Sequence, residues 1–356
     1  MALESEKRLA EIDENSGIKT PEEVVEAIDA VIDDFRNAVA AAQGELAEVC
    51  DGREILIWDT TFGVPSNALR ANLETFGAQG YDSVSNLIVN RIFGGNMPTD
   101  ASSFFKGTFG ELAFKQVSVE HFVPWSSASV AAAVFAGSPA SISRLDKHPV
   151  RIRDSKLTDE DVFRRTESIH DDLVDLGVPA VGICYGHQYM AHKHGGMIYQ
   201  MSSERRRMET IAADPEGLDF LTRTLGIENT PQISRLFVSH HDAARFNPRK
   251  SRIFLSSVGE KPVTHGLLSI RNGEFSEDGE KNLALTLEEL AGENGCDLSV
   301  QSHPETTLPH TLLILAKALI TGHQVGNLKL EEKFNSIRDF LRIVANFLRS
   351  HRNFRG

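Results

Sequence analysis

A cysteine stands between two glycines in Gly182-Ile183-Cys184-Tyr185-Gly186, after an apolar run and before a short helical segment. Small residues two before and two after it let a strand turn sharply into a helix, which pushes the thiol into the open. A helix N-terminus also favours a negative sulfur, through its unpaired N–H groups and its dipole. The chemistry this would support is nucleophilic attack on a carbonyl. By itself the pattern is equally compatible with a buried core thiol, because free cysteine is among the most buried residue types.

A general base would have to come from elsewhere in the chain. Ser299-Val300-Gln301-Ser302-His303-Pro304-Glu305 reads as an apolar strand that ends in His-Pro-Glu. A neutral imidazole at His303 would take the thiol proton, and a carboxylate at Glu305 would fix its tautomer and stabilise the imidazolium. Their distance from Cys184 along the chain is no obstacle, since such triads are assembled in space. Alone, His-Pro-Glu is also what an ordinary loop after a strand looks like. A further polar cluster, Ser239-His240-His241-Asp242, lies between the two motifs.

The elements that must position these groups follow from periodicity. From about Pro21 to Val49 the apolar residues Val24, Val25, Ile28, Val31, Ile32 and Phe35 recur at three and four spacings, which predicts a helix with Pro21 in its first turn. EILIWD at 54–59, FKQVSV at 114–119 and SVAAAVFAG at 129–137 read as buried strands. Between the first two, residues 65–115 read as helix plus a long insertion, broken by Gly77, Gly80, Gly94-Gly95 and Pro98. A helix is expected from Asp159 to Leu176, stopped by Gly177 and Pro179. A strand into the elbow, a helix to Gly195-Gly196 and another strand follow, then strands at RLFVSH, RIFLSS and DLSVQSH. The segment from Thr311 to Leu348 has helical periodicity. Alternating strands and helices predict an α/β fold with a mostly parallel sheet flanked by helices, carrying helical N- and C-terminal extensions. The expected division is a helical extension over 1–50, the main domain over 51–310 and a helical segment over 311–356.

Composition narrows the partners. With 50 acidic against 37 basic residues the formal charge is -13, which repels nucleic acid and anionic membrane surfaces. A small-molecule or protein partner is expected instead. Three cysteines, Cys50, Cys184 and Cys296, fit neither a disulfide framework nor a zinc site, so a reducing, cytoplasmic setting is expected. No segment has the length and apolarity of a membrane span, and the N-terminus lacks a secretion-type apolar core. His187, His192, His194, His240 and His241 show no metal-ligand spacing and read as surface or site-lining residues; no metal and no cofactor are expected. The runs Arg205-Arg206-Arg207 and Arg249-Lys250 read as solvated faces.

GICYGHQ, then SHHD, then VQSHPE, in that order, closely resemble the motifs of the class I glutamine amidotransferases, in particular the branches similar to GMP synthetase and to γ-glutamyl peptidase. The resemblance covers roughly residues 54–305 and implies the flavodoxin-like sheet of that family. It makes Cys184 the nucleophile, His303 the acid/base and Glu305 its orienter. Gln188, His240, His241 and Asp242 would line the substrate. Backbone N–H groups at Tyr185 and at the turn Gly137-Ser138 would form the oxyanion hole. The family's Gly-Gly-Pro turn reads Gly137-Ser138-Pro139 here, Ser302 replaces a bulky aromatic or glycine, and residues 271–294 are a polar insertion.

The implied reaction is hydrolysis of the γ-amide of glutamine, or of a γ-glutamyl compound, through a γ-glutamyl thioester. The 51 residues after Glu305 are too few for an ATP-dependent synthase domain, and no P-loop is present. Ammonia would then pass to a separate synthase subunit, or the enzyme would be a free-standing γ-glutamyl peptidase. The competing readings are an α/β-hydrolase with a cysteine elbow, which would place its acid before the final histidine, and a degenerate binding or regulatory subunit.

Overall fold

The short apolar runs become strands buried on both faces, as a parallel sheet between two helical layers requires. The computed structural model describes residues 3–14, 17–110, 112–120, 130–145, 150–152, 155–213, 215–219, 221–222, 235–258, 263–275, 295–325 and 328–353. In chain order the elements are α1 (Glu4–Glu14), α2 (Pro21–Cys50), β1 (Glu54–Asp59), α3 (Val64–Ala78), α4 (Asp82–Phe93), α5 (Ala101–Phe109), β2 (Phe114–Ser118) and β3 (Val130–Phe135). There follow α6 (Asp159–Asp175), β4 (Ala180–Ile183), α7 (Tyr185–Lys193), β5 (Met197–Ala212), α8 (Pro215–Asp219), β6 (Arg235–Arg245), β7 (Ser251–Ser257), β8 (Thr264–Ile270), β9 (Cys296–Val300), α9 (Pro304–Thr321) and α10 (Leu330–Asn353).

The nine described strands form one mixed sheet in the order β2-β1-β3-β4-β9-β8-β7-β5-β6. From β2 to β9 every pairing is parallel. Numbered among themselves, these five strands run 2-1-3-4-5, the doubly wound flavodoxin-like order, which places a ligand crevice at their carboxyl ends. From β9 to β6 the pairings are antiparallel and make a wing. Period-two alternation sorts the parallel core onto two faces. Ile55 and Ile57 pack with α2, α5, α9 and α10, whereas Leu56 and Trp58 pack with α6 and α7.

Local chemistry sets the helix ends near the site. Thr20 and Glu23 form a capping box that starts α2, and Asp51 in the left-handed region ends it. Residues of α2 pack against α10, with Phe35 and Phe334 in edge contact at 5.4 Å. Within α9, Pro309 has no N–H for the Glu305 carbonyl four residues back, and the Thr108 hydroxyl of α5 donates to that carbonyl instead, at 3.1 Å.

Several expectations are refined. The stretch after β1 is three helices rather than one helix and an insertion. The strand expected after the elbow runs on through polar residues to Ala212, and β8 was not anticipated. Of the polar insertion at 271–294, residues 276–294 lie outside the described residues. Among the described residues no helix is long and apolar enough to cross a membrane.

Candidate active site

Strand β4 ends at Ile183 and α7 begins at Tyr185, so Cys184 is the entire turn. Its backbone is at φ 53°, ψ −100°, a conformation that costs of order 1–3 kcal/mol for a non-glycine residue and collects at functional sites. The Cys184 N–H donates to the Val300 carbonyl at 2.8 Å, which ties the elbow to β9. Both flanking glycines are required by contact. A Cβ on Gly182 would lie 2.6 Å from the backbone of Gly186, and one on Gly186 would lie 2.4 Å from the Phe135 carbonyl oxygen.

His303 closes the other side of the site from the end of β9. Its N–H donates to the Phe237 carbonyl at 2.7 Å, and its own carbonyl accepts from the Thr307 hydroxyl at 2.8 Å. Nδ1 lies 2.8 Å from Glu305 Oε1. Burial works against a charged ring, but attraction and hydrogen bonding from Cys184 and Glu305 outweigh it and hold the His303 imidazole well above its ordinary range. The other carboxylate oxygen, Glu305 Oε2, is buried with no hydrogen-bond partner among the described residues.

Gly137 is pressed against these groups: a Cβ there would sit 2.8 Å from His303 Cε1 and 3.6 Å from Cys184 Cβ. Neither Gly137 nor Ser138 has a positive φ, so serine is accommodated without strain. The Thr60 hydroxyl lies 3.0 Å from the Gly137 carbonyl oxygen and 3.1 Å from that of Ala136. A trans peptide directs the Ser138 N–H away from Thr60, so this threonine sets the orientation of the candidate oxyanion donor. Nothing in the motif spacing marked Thr60. The Tyr185 side chain is buried in the core beneath the elbow, which leaves only its backbone N–H as a candidate donor.

The remaining candidates divide. Gln188 lines the cavity and donates to the Asp242 carbonyl at 3.1 Å and to Gln301 Oε1 at 3.2 Å. His240 and His241 line it as well. Burial lowers His240 to about 4, while a hydrogen bond to Asp242 raises His241. Asp242 is fully buried and is absent from the cavity wall. Its carboxylate accepts from the Ser141 hydroxyl at 2.6 Å and the Ser143 hydroxyl at 2.9 Å, bracing the loop after Gly137 against β6.

Two histidines expected at the surface or lining the site are instead buried away from the cavity wall. His187 meets the Ser299 hydroxyl at 3.1 Å and burial lowers it to about 3; His194 meets Asp297 at 2.9 Å. Both meet side chains of β9, His187 from within α7, which is buried on all sides from Tyr185 to Ala191, and His194 from just past its end. Burial pushes the thiols of Cys50 (to about 11) and Cys296 upward, so both are inert.

The cavity over Cys184 has a volume of about 560 Å³. Away from Cys184 and His303 its wall is mostly apolar, with Val64, Leu69, Phe104, Leu313 and Ile314 from α3, α5 and α9, interrupted by Asn72, His310 and Lys317. At its rim β5 contributes Glu204 and Arg206. Arg206, expected on a solvated face, therefore borders the site, and it has no ion-pair partner among the described residues.

The family model for class I glutamine amidotransferases matches residues 159–320. A GMP synthase (glutamine-hydrolysing) of Streptococcus pneumoniae strain ATCC 700669 / Spain 23F-1 is 26% identical over 176 residues, covering 44% of this chain and 32% of that protein. Another from Psychrobacter arcticus is 36% identical over 74 residues, 21% of this chain and 13% of that protein. The chain thus spans about a third or less of the length of these curated relatives. A solved glutamine amidotransferase from Thermotoga maritima is 12% identical with a TM-score of 0.42, covering 82% of this chain and 98% of that one. The matched stretch, residues 159–320, holds the elbow, the SHHD segment and the His-Pro-Glu turn, so the candidate site lies within the part of the chain that is similar to the class I glutamine amidotransferases.

Proposed function

We propose that this chain hydrolyses the γ-amide of glutamine or of a γ-glutamyl compound, with Cys184, His303 and Glu305 as its triad. The observation that carries this reading is the convergence of a strained cysteine elbow and a carboxylate-held imidazole on one cavity. The Cys184 thiolate attacks the γ-carbonyl, and the oxyanion takes hydrogen bonds from the Ser138 and Tyr185 N–H groups. His303 gives its proton to the departing amine, leaving a γ-glutamyl thioester. The same imidazole then takes a proton from water, which attacks the thioester and releases glutamate and the thiol. Arg206 and Glu204 at the rim suit the α-carboxylate and α-ammonium of an amino-acid substrate.

The GMP synthase relatives are glutamine-hydrolysing by name, and a separate synthase subunit would be the acceptor of the released ammonia here. A specific feature favours a second reading, a free-standing γ-glutamyl peptidase. The mostly apolar wall away from Cys184 and His303 has room for more than the ammonia side of glutamine and suits a substituted γ-amide.

Glutamate release from free glutamine and from γ-glutamyl amides of graded apolarity, by wild type and Cys184→Ala, tests both. Loss of release by about 10³-fold or more in Cys184→Ala is expected, since the thiol supplies the covalent step. Release from apolar γ-glutamyl amides alone would select the peptidase. No release from any substrate by folded wild-type protein would leave a degenerate binding subunit as the surviving reading.

A further inference from the structure

Behind the candidate triad, three strands that lie apart in the chain bring together Glu209 on β5, His240 on β6 and His265 on β8. Their relative exposures are 6%, 4% and 0%. One ligand-capable atom from each lies within 4.8 Å of the other two. No local spacing could have shown this, which is why the sequence gives no hint of a metal.

The atoms facing inward are the ones without partners. His240 Nδ1 lies 2.9 Å from the Asp242 carbonyl, which can only accept, so Nδ1 carries the proton and Nε2 keeps a free lone pair. Glu209 Oε1 accepts from Arg205 at 2.6 Å and from Arg207 at 3.3 Å, while Oε2 accepts no hydrogen bond. His265 makes no hydrogen bond at either nitrogen, and its Nε2 is 3.4 Å from Glu209 Oε2. Buried polar atoms left unpaired cost about 1–3 kcal/mol each, and a group of them converging on one point calls for a missing partner. A simple His265–Glu209 contact does not supply it, because His240 Nε2 stays unpaired.

We propose that Glu209, His240 and His265 bind one divalent cation of the zinc class, which staples the β5–β6 ribbon to the main sheet behind the active site. Two imidazole nitrogens and one carboxylate oxygen suit zinc or cobalt, whereas calcium and magnesium take oxygen ligands. The 3.4 Å separation of His265 Nε2 and Glu209 Oε2 matches the edge of a tetrahedron with metal–ligand bonds of about 2.1 Å. Arg205 on Oε1 and the Asp242 carbonyl on Nδ1 are the outer hydrogen bonds that orient such ligands.

The staple has mechanical sense. Among the described residues the ribbon pairs with β7 at Ile211–Ser257 and Ala212–Ser256, with the Val258 N–H donating to the Thr210 carbonyl at 3.2 Å beside them, so a cation linking β5 and β6 to β8 adds a further attachment. It also reaches the site from two sides. Ser239, next to His240, has its carbonyl 3.6 Å from Cys184 Sγ, and the His265 carbonyl accepts from the Gln301 N–H at 2.9 Å, two residues before His303.

Metal-stripped full-length protein titrated with Co²⁺ tests the site through the visible absorption of a four-coordinate complex, with Zn²⁺ competition giving affinity and stoichiometry. One equivalent per chain is expected, with a rise in Tm on Zn²⁺ addition. His265→Asn and, independently, Glu209→Gln should each weaken binding by about 100-fold or more, and Cys184→Ser should leave it unchanged. Absence of stoichiometric binding by wild type overturns the proposal. So does binding that survives both substitutions, or binding that is lost in Cys184→Ser, which would place the metal on the thiol. None of these readouts needs turnover, so failure of the proposed hydrolysis and failure of this site are told apart.

Discussion

Three buried carboxylates in and beside the sheet are satisfied to different degrees. Asp297, at the amino end of β9, has both oxygens occupied: Oδ1 accepts from Arg271 at 2.6 and 2.9 Å, and Oδ2 meets His170 at 3.1 Å and His194 at 2.9 Å. Glu305 and Glu209 each have one oxygen held and one bare among the described residues. Burial would raise the Asp297 carboxyl, but Arg271 and the two histidines hold it well below the carboxylate range. A saturated carboxylate is a brace, here between α6, the end of α7 and the edge of β8. A half-saturated one costs stability and so marks a place where something else binds or reacts.

The largest effect should therefore fall at Asp297, far from any chemistry. Asp297→Asn leaves Arg271 without its buried counter-charge and should cost about 3–5 kcal/mol in denaturant unfolding at neutral pH. Because the folded carboxyl titrates below its unfolded value, the stability it confers is present above that unfolded value and is lost as pH falls through the folded one. The gap between wild type and variant should thus be constant above about pH 5 and narrow below about pH 4. A loss under about 1 kcal/mol would end the contrast between saturated and half-saturated carboxylates.

Glu305→Gln should do the reverse, sparing the fold and slowing turnover by about 10²-fold. Glu305 helps hold the His303 imidazole above its ordinary range, so removing the charge lowers it. The alkaline limb of kcat/KM, where the proton donor for the leaving amine is lost, should move to lower pH. The associated stability is full below the unfolded histidine value and is lost as pH rises through the raised folded one, so the variant should approach wild type in alkaline buffer. An unmoved alkaline limb would detach Glu305 from His303.

The saturated half of this contrast was hidden in the sequence, while much of the reactive half was legible. The elbow could be read because Gly182 and Gly186 flank Cys184 within five residues, even though Gly186 is required by Phe135 on β3, and His303 and Glu305 because they are two residues apart. The parallel strands announced themselves as apolar runs buried on both faces. The far part of β5 did not, because Glu204 to Arg207 face solvent or the cavity rim and carry no apolar alternation. Asp297, Thr60, Asp242 and the Glu209 cluster all act through partners tens of residues away, and no local pattern encodes such pairs. Asp242 was read as lining the substrate from its motif, whereas its side chain is consumed by Ser141 and Ser143.

Gly137→Ala probes how tightly the reactive side is packed. Its new Cβ would meet His303 Cε1 at 2.8 Å, and the ring cannot retreat far because Glu305 holds Nδ1 and Phe237 and Thr307 hold its backbone. Turnover should fall by about tenfold, the scale of a small misplacement of a reacting group, with little change in Tm. An unaffected rate would mean that the imidazole moves freely, contrary to the packing around it.

The smallest effect is expected where the comparison is sharpest. In metal-free protein, Glu209→Gln removes a carboxylate whose desolvation is offset by partners at the edge of the ribbon: burial opposes its charge, but His265 and the Arg205 and Arg207 guanidiniums bring it down to about 2. Those arginines are partly or largely exposed, so water can solvate them once the charge is gone. The loss of stability should stay near 1 kcal/mol, against several at Asp297, although both carboxylates are almost fully buried. With Zn²⁺ present the cost at Glu209 should grow by the binding free energy that the variant forfeits, while the cost at Asp297 should not change. Paired denaturation curves with and without Zn²⁺ therefore separate a brace from a site. Equal zinc dependence in the two variants would show that degree of saturation does not distinguish them.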